Sequence, residues 1–443
     1  MATGAPPAGA TAATGRMDRY LWLILLSAFL AWMLDSVALN VFNLVLTPSL
    51  RDLLGTAARG EIAGVGGLVV ATKLFAWGIG GTLFGVLTDR LGRARIMLVT
   101  IVIYAGFTGL SALARTWPQL AVCQALAGFG IGGEWAAGAA LLAESLPERW
   151  RPSLMIVMQL AYAVGFFFAA GVNLVLGPFG WRWVFVGCAV PAVVALVLRL
   201  FVREPQRWVA VRASGRRSLG SVRRLLAPEL RGATLGGLLS AMALMVGAFA
   251  ATTFVPSWIG ELTGGGPAAA VRAASYFAML LNAGAVAGYL VLIWVVRVLG
   301  RRGCFFVYCL GSLVVAIVLF TRVADAGTLL LLAPVAGFFV LGGFGVFAVY
   351  LPELFPTEVR ATGQGICFNL ARVVTGFGTL ATGFLVGRLG SYPAAGLVVS
   401  LAFTVGLLTI WIAPETRGRT LQETDRAADR AADRAADRVA VEQ

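Results

Sequence analysis

Twelve apolar runs, each close to the length a helix needs to cross a bilayer, dominate the 443-residue sequence. A spanning helix requires roughly 20 predominantly apolar residues. The runs lie at 20–46, 62–86, 96–113, 118–143, 153–176, 183–201, 232–258, 273–296, 304–321, 327–350, 362–387 and 393–412. Helix is the element they imply, because a membrane barrel is written as short alternating strands. The composition closes off other classes: 59% of residues are hydrophobic and 13% charged, against ~45–50% and ~25% in soluble domains. A water-soluble enzyme, a disordered protein, a collagen and a disulfide scaffold are excluded. The expected fold class is an all-α integral membrane protein of twelve transmembrane helices in two pseudo-symmetric six-helix bundles.

Twelve crossings put both termini on one side, and arginine decides which. Loops on the terminal side hold Arg16, Arg19, Arg90, Arg93, Arg95, Arg149, Arg151, eight arginines between Arg203 and Arg231, Arg297, Arg301, Arg302 and Arg360. The opposite loops hold Arg51, Arg59, Arg115, Arg182, Arg272, Arg322 and Arg388. The positive-inside rule then makes both termini cytoplasmic, in a multi-pass protein of the plasma or inner membrane. The same rule accounts for the net charge of +14 without a nucleic-acid partner. Residues 1–17 are expected to be a disordered cytoplasmic start. The apolar run that follows is too long for a signal-peptide core. Residues 18–202 form an N-terminal six-helix bundle, 203–231 a basic cytoplasmic linker, most simply solvated, and 232–413 a C-terminal bundle. Residues 414–443 are a cytoplasmic tail ending in DRAA repeats. The five cysteines sit in or beside apolar runs as small hydrophobes, so no disulfide is expected.

The halves repeat. Glu144-Ser-Leu-Pro147-Glu-Arg-Trp-Arg151 and Glu353-Leu-Phe-Pro356-Thr-Glu-Val-Arg360 share the pattern E-x-x-P-x-x-x-R at an offset of 209. Leu91-Gly92-Arg93 and Leu299-Gly300-Arg301 match at an offset of 208. A nearly common offset for separate motifs argues for duplication of a six-helix unit.

Between the second and third runs stands Gly85-Val-Leu-Thr-Asp89-Arg90-Leu-Gly92-Arg93-Ala-Arg95. Here the chain resembles the major facilitator superfamily, whose loop motif is G-x-x-x-D-R-x-G-R-x-R; the resemblance covers nearly all of residues 18–424. Gly128-Phe-Gly130-Ile-Gly132-Gly133-Glu134-Trp135, Pro352-Glu353-Leu354-Phe355-Pro356-Thr357 and Arg360-Ala-Thr-Gly363-Gln364-Gly365 look like the organic-acid:proton symporters, nearest to the sialate:proton and aromatic-acid:proton families. Pro414-Glu415-Thr416-Arg417-Gly418 resembles the exit sequence of the sugar-porter-like group. Three positions depart from the pattern: Ala38 where a second acid is often found, Gln124 in place of the fourth-span arginine, and Arg297 where Asp89 stands in the first half. The resemblance implies that spans three, six, nine and twelve face lipid. It also implies that one, four, seven and ten line a cavity, and that two and eleven meet between the bundles.

Four ionisable residues lie about ten residues, or ~15 Å at helical rise, from the nearest end of their runs: Asp35, Lys73, Glu134 and Arg372. A charge near the midplane costs roughly 2.5–3.5 kcal/mol on insertion scales, and secondary transporters bind substrate at that depth. Histidine is absent, so proton exchange falls to a carboxylate. Asp35 and Glu134 are the candidate proton carriers. Arg372 and Lys73 are the candidate carboxylate ligands, and Lys73 could approach Arg372. The plain alternative is that Asp35–Lys73 and Glu134–Arg372 are salt bridges that fix packing. Arg199, near the end of span six, can snorkel. Gln159, Asn369 and Asn282 are expected to complete the binding site. Asn40, Tyr162, Asn173 and Tyr350 are further candidates, with an interhelical hydrogen bond the plain alternative for each of these polar residues, and Trp32 and Trp135 could line a wall. Asp89, Arg90, Gly92, Arg93, Glu144, Arg151, Glu353 and Arg360 are expected to form the cytoplasmic gate.

The function expected is secondary active import of a small organic anion with protons by alternating access. The carboxylate could be a mono-, aromatic or sialic-type acid. A proton-driven exporter and a non-transporting sensor are the alternatives. There is no nucleotide-binding loop and no nucleophilic triad, so no enzyme, metal or cofactor is expected. The proton gradient drives the cycle of a monomer in the lipid bilayer.

Overall fold

The computed structural model describes residues 17–55, 59–214, 220–263, 266–428 and 430. The expected disordered start up to Arg16 and most of the DRAA repeat lie outside the described residues.

Span one is Arg19–Leu54. Asp18 caps it by accepting from the Leu21 amide at 2.8 Å, and Gly55 ends it at φ 63°. Span two is Arg59–Leu91, three Arg93–Leu110, four Trp117–Ser145, five Arg151–Leu176 and six Trp181–Arg199. Span seven joins Arg231–Phe249 to Val255–Leu262 through the π-turn Ala250–Phe254. Spans eight and nine are one helical stretch, Gly266–Arg322, broken only at Gly300. Span ten is Ala326–Ala336, the π-turn Gly337–Leu341 and Phe344–Leu354; eleven is Arg360–Leu389; twelve is Tyr392–Ser400 with Ala402–Thr409. Ten helices among the described residues are long and apolar enough to cross a membrane. One of the ten, Ala269–Arg322, contains two crossings. With Arg360–Leu389 this makes the twelve expected spans.

The bundles meet along span two against span eleven, and along span five against spans eight and ten. Small residues allow the first contact. A Cβ on Gly81 would stand 2.1 Å from the Asn369 side chain, and one on Gly78 2.4 Å from Val373. The glycine run of span four serves close packing as well: a Cβ on Gly132 would stand 2.3 Å from the Trp77 carbonyl. Exposed Val102, Val193, Val314 and Leu408 lie on spans three, six, nine and twelve, the faces expected against lipid.

The repeated Leu-Gly-Arg has a backbone cause. Gly92 and Gly300 sit at φ 119° and 73°, where only glycine is unstrained. Each turn also leaves room for a capping carboxylate. Glu204 accepts from the Arg93 and Arg95 amides at 2.6 and 3.1 Å; Glu415 accepts from Arg301 and Arg302 at 3.0 and 3.1 Å. A Cβ on either glycine would collide with its carboxylate. Sequence reading did not single out Glu204; its position one bundle-length before Glu415 was the available signal.

Glu415 lies outside the spans. Burial pushes its carboxyl up, but backbone N–H groups of Arg301, Arg417, Arg302 and Thr416 outweigh this and hold it below the ordinary glutamate value. A carboxyl lowered on folding stabilises above its unfolded value, about 4.3. That contribution is lost as pH falls through the folded value. Melting in detergent at pH values from neutral to acid should therefore show Glu415→Gln below wild type at neutral pH, with the gap closing on acidification. A constant gap at every pH contradicts the cap.

The connector between the bundles is anchored rather than solvated throughout. Gln206–Ala213 buries Trp208, whose Nε1 donates to the Asp89 carbonyl at 2.7 Å. The Gly220 amide donates to the Glu358 carbonyl at 2.9 Å.

Candidate functional site

A cavity of about 160 Å³ lies between the bundles. Trp32, Leu74, Gln159 and Tyr162 line it from one side; Phe249, Tyr289, Phe344, Phe368 and Arg372 line it from the other. Arg372 projects from span eleven onto span two, its guanidinium carbon 3.7 Å from the centroid of the Trp77 ring and 5.1 Å from that of Phe368. Stacking of this kind holds the plane of a guanidinium, a group whose fork of donors suits a bidentate anion. Among the described residues Arg372 has no ion pair, and its Nε is buried without a hydrogen-bond partner. Trp135 stacks on Phe368 at 3.9 Å and donates to Gln159 Oε1 at 3.2 Å, fixing that amide at the cavity wall. The site is thus a cation and an amide held by aromatic rings.

The other midplane charges stay within the N-terminal bundle. Glu134 pairs with Arg199 at 3.2 Å, both side chains fully buried, and accepts from Thr100 Oγ1 at 2.5 Å. Arg199 therefore does not snorkel: it turns inward, reaching the Ser27 carbonyl as well at 3.3 Å. An unsatisfied buried carboxylate is a stronger claim on a guanidinium than a nearby interface. Asp35 is 1% exposed, and among the described residues neither oxygen has a hydrogen-bond partner. Its charged neighbours are Glu134, Arg372 and Arg199. Neither Asp35–Lys73 nor Glu134–Arg372 is an ion pair.

Of the five expected substrate ligands, Arg372 and Gln159 line the cavity. Lys73 does not approach Arg372; it donates to the Ala38 carbonyl and to Gln124. Asn369 donates to the Gly132 carbonyl at 3.4 Å, between spans eleven and four. Asn282 bonds its own helix at Ala278, 2.9 Å. Sequence reading missed Tyr289, Phe344 and Phe368. An aromatic in an apolar span carries no mark of which way it faces.

At the face bearing the termini the repeated motifs interlock. Arg93 grips Glu144 with two bonds, 2.8 and 3.1 Å, lies 3.1 Å from Asp89, and crosses to the Thr357 carbonyl at 2.8 Å. Arg360 crosses back to Glu144 at 2.8 Å. Asp89 caps span eleven, accepting from the Ala361 and Thr362 amides and from Thr362 Oγ1, at 3.2, 2.8 and 2.7 Å. The second half differs. Arg301 grips Glu353 with two bonds, 2.8 and 2.7 Å, but among the described residues Arg151 reaches Glu148, at 3.9 Å, and the Leu146 carbonyl rather than Glu353. Arg297, at the position equivalent to Asp89, donates to Ser153 Oγ at 2.6 Å. A cation beside a helix N-terminus opposes the dipole that Asp89 complements. The clasp is thus strong on one side of the pseudo-axis and weak on the other. Arg90 is exposed, beside Gly220.

This architecture matches known proteins. The family model of the Major Facilitator Superfamily matches residues 21–367. A Haemophilus influenzae protein, provisionally named a metabolite transport protein, is 30% identical over 92% of this chain and 100% of its own. The cis,cis-muconate transport protein of Acinetobacter baylyi is 27% identical over 88% of this chain and 94% of its own. Among solved structures, the proton:xylose symporter XylE bound to 6-bromo-6-deoxy-D-glucose superposes with a TM-score of 0.75 at 20% identity, covering 92% of this chain and 99% of that one. With its helical fold and the family match over most of its length, the chain belongs to the major facilitator superfamily of membrane transporters and is not an enzyme.

Proposed function

We propose that this protein imports a small planar carboxylate together with protons, with the arginine-rich face and both termini in the cytoplasm of a plasma or inner membrane. The observation that carries the reading is the ring-stacked guanidinium of Arg372, in no ion pair among the described residues, in an aromatic cavity between the bundles. A cation kept without a protein counter-ion at that depth is costly unless a ligand anion completes it. The rings favour a flat, conjugated acid over a sugar-like one, in line with the muconate named for one relative. The protein works as a monomer, with residues 18–202 and 232–413 as the rocking units and 203–231 as their link. Asp35 and Glu134 carry the protons. Among the described residues Asp35 has no hydrogen-bond donor to stabilise its charge, so protonation removes an unfavourable buried charge. Glu134 can exchange its partner Arg199 for a proton. The proton-symporter fold relative supports coupling of this kind.

One proton across a one-unit pH gradient is worth about 1.4 kcal/mol, or about tenfold accumulation. Proteoliposomes should accumulate radiolabelled benzoate or cis,cis-muconate, and not lactate or sialic acid, when the inside is alkaline. Asp35→Asn and Glu134→Gln should each lose about tenfold of that ratio, while counterflow persists. If both keep wild-type accumulation, the carrier roles are wrong. Accumulation only under the reversed gradient identifies an exporter, and binding without counterflow a sensor.

A further inference from the structure

Lys73 is the single lysine in a chain whose Lys and Arg total 35. It is 2% exposed and does not line the cavity. Its Nζ donates to the Ala38 carbonyl at 3.0 Å and to Gln124 Oε1 at 2.8 Å, and lies 5.0 Å from the centroid of the Phe42 ring. The Gln124 oxygen is held in that direction: its Nε2 donates to Ser111 Oγ at 2.8 Å, and Ser111 donates to the Phe107 carbonyl at 2.8 Å. Spans one, four and eleven pack against span two; away from their ends the titratable and charged groups they carry are Asp35 on span one, Cys123 and Glu134 on span four, and Cys367 and Arg372 on span eleven. None bonds to Nζ among the described residues.

The hydrogen-bond inventory distinguishes the two forms of the side chain. A neutral amine has two N–H donors and an ammonium three. Two acceptors are present, so the site satisfies every donor of the amine. It leaves the third donor of the ammonium to a ring face. Elsewhere the chain uses arginine, which does not release its proton. Arg372 also makes no ion pair among the described residues, but it lines a cavity where a substrate anion can supply one. Lys73 is walled in, and of the two cations only lysine can shed its charge there.

Building on proton-coupled transport, we propose that Lys73 is a further proton-exchanging group of the N-terminal bundle. During the cycle one N–H bond of its ammonium breaks and the proton passes to water. The electron pair stays on Nζ, and the amine later takes a proton back. Lys73 acts apart from the substrate, as a coupling residue.

A single lysine makes the state directly readable. Full-length protein in lipid nanodiscs, labelled at lysine Nζ and Cε, gives one lysine signal by NMR. The expected spectrum shows the neutral amine at the pH of the transport assay and its conversion to ammonium on acidification. An ammonium signal at every assay pH overturns the proposal. In proteoliposomes, Lys73→Arg keeps the charge but cannot release a proton, and Lys73→Met carries none. Each should cut the gradient-driven benzoate accumulation ratio by about tenfold, one proton's worth, with counterflow retained. Wild-type accumulation by Lys73→Arg also overturns it. If the wild type itself does not accumulate substrate, proton coupling fails, whereas the NMR signal still decides the state of Lys73. If neither variant folds, the wild-type signal alone decides.

Discussion

Replacing Arg372 by alanine should weaken binding of the transported carboxylate by about 30-fold to several-thousand-fold. Truncating one partner of a buried, hydrogen-bonded charge pair costs about 2–5 kcal/mol, and each ~1.4 kcal/mol is a tenfold change. The protein should still fold, because among the described residues Arg372 makes no ion pair or hydrogen bond with a carboxylate that would be left broken. Its internal contacts include the rings of Trp77 and Phe368, a cation–ring contact being worth roughly 0.5–2 kcal/mol. Arg372→Lys should keep the charge but lose the planar fork and the stack, and so fall between the two. Titration calorimetry of benzoate and cis,cis-muconate on purified protein, with melting as the control for folding, measures the series. Unchanged affinity in the alanine variant removes Arg372 from the site.

The second large effect belongs to Glu144. Its carboxylate takes Arg93 from its own bundle and Arg360 from the other, with all three side chains fully buried. Glu144→Gln leaves two guanidinium groups short of a counter-charge, and breaking a buried pair of this kind costs about 3–5 kcal/mol. Arg360 is held across the interface, so the loss falls on the closed clasp rather than on either bundle alone. A shift of ~3 kcal/mol moves a two-state equilibrium by more than 100-fold. Hydrogen exchange of amides 357–363 should accelerate on that order. Glu353→Gln is the contrast: Glu353 pairs with Arg301 inside its own bundle, so its loss should loosen the start of span nine and leave 357–363 protected. Equal acceleration in both variants contradicts a clasp centred on Glu144.

Much of the charged cluster between the bundles was legible in the sequence, because a tight turn between helices demands local chemistry. Glycine at positive φ, an arginine after it and a glutamate about fifty residues on recur in both halves and meet as Arg93–Glu144 and Arg301–Glu353. What the repeat hid was its inequality. Arg151 and Arg360 occupy equivalent places in the pattern, yet only Arg360 reaches the opposite bundle's glutamate. Asp89 against Arg297 is the visible sign of that difference.

The candidate binding site was less legible. Depth along a helix is a one-dimensional quantity, set by residue count and rise. The sequence by itself therefore determined that Asp35, Lys73, Glu134 and Arg372 lie near the midplane of a duplicated twelve-helix protein. Which of them meet depends on the rotation and spacing of helices. Those follow from glycine contacts such as Gly81 against Asn369 and Gly132 against Trp77. Only the tertiary structure decided that Glu134 takes Arg199, that Lys73 is left with neutral acceptors, and that Arg372 crosses to Trp77. The physical reason is that apolar length is written in the chain, whereas partner choice between buried charges is settled by packing, within a few ångströms.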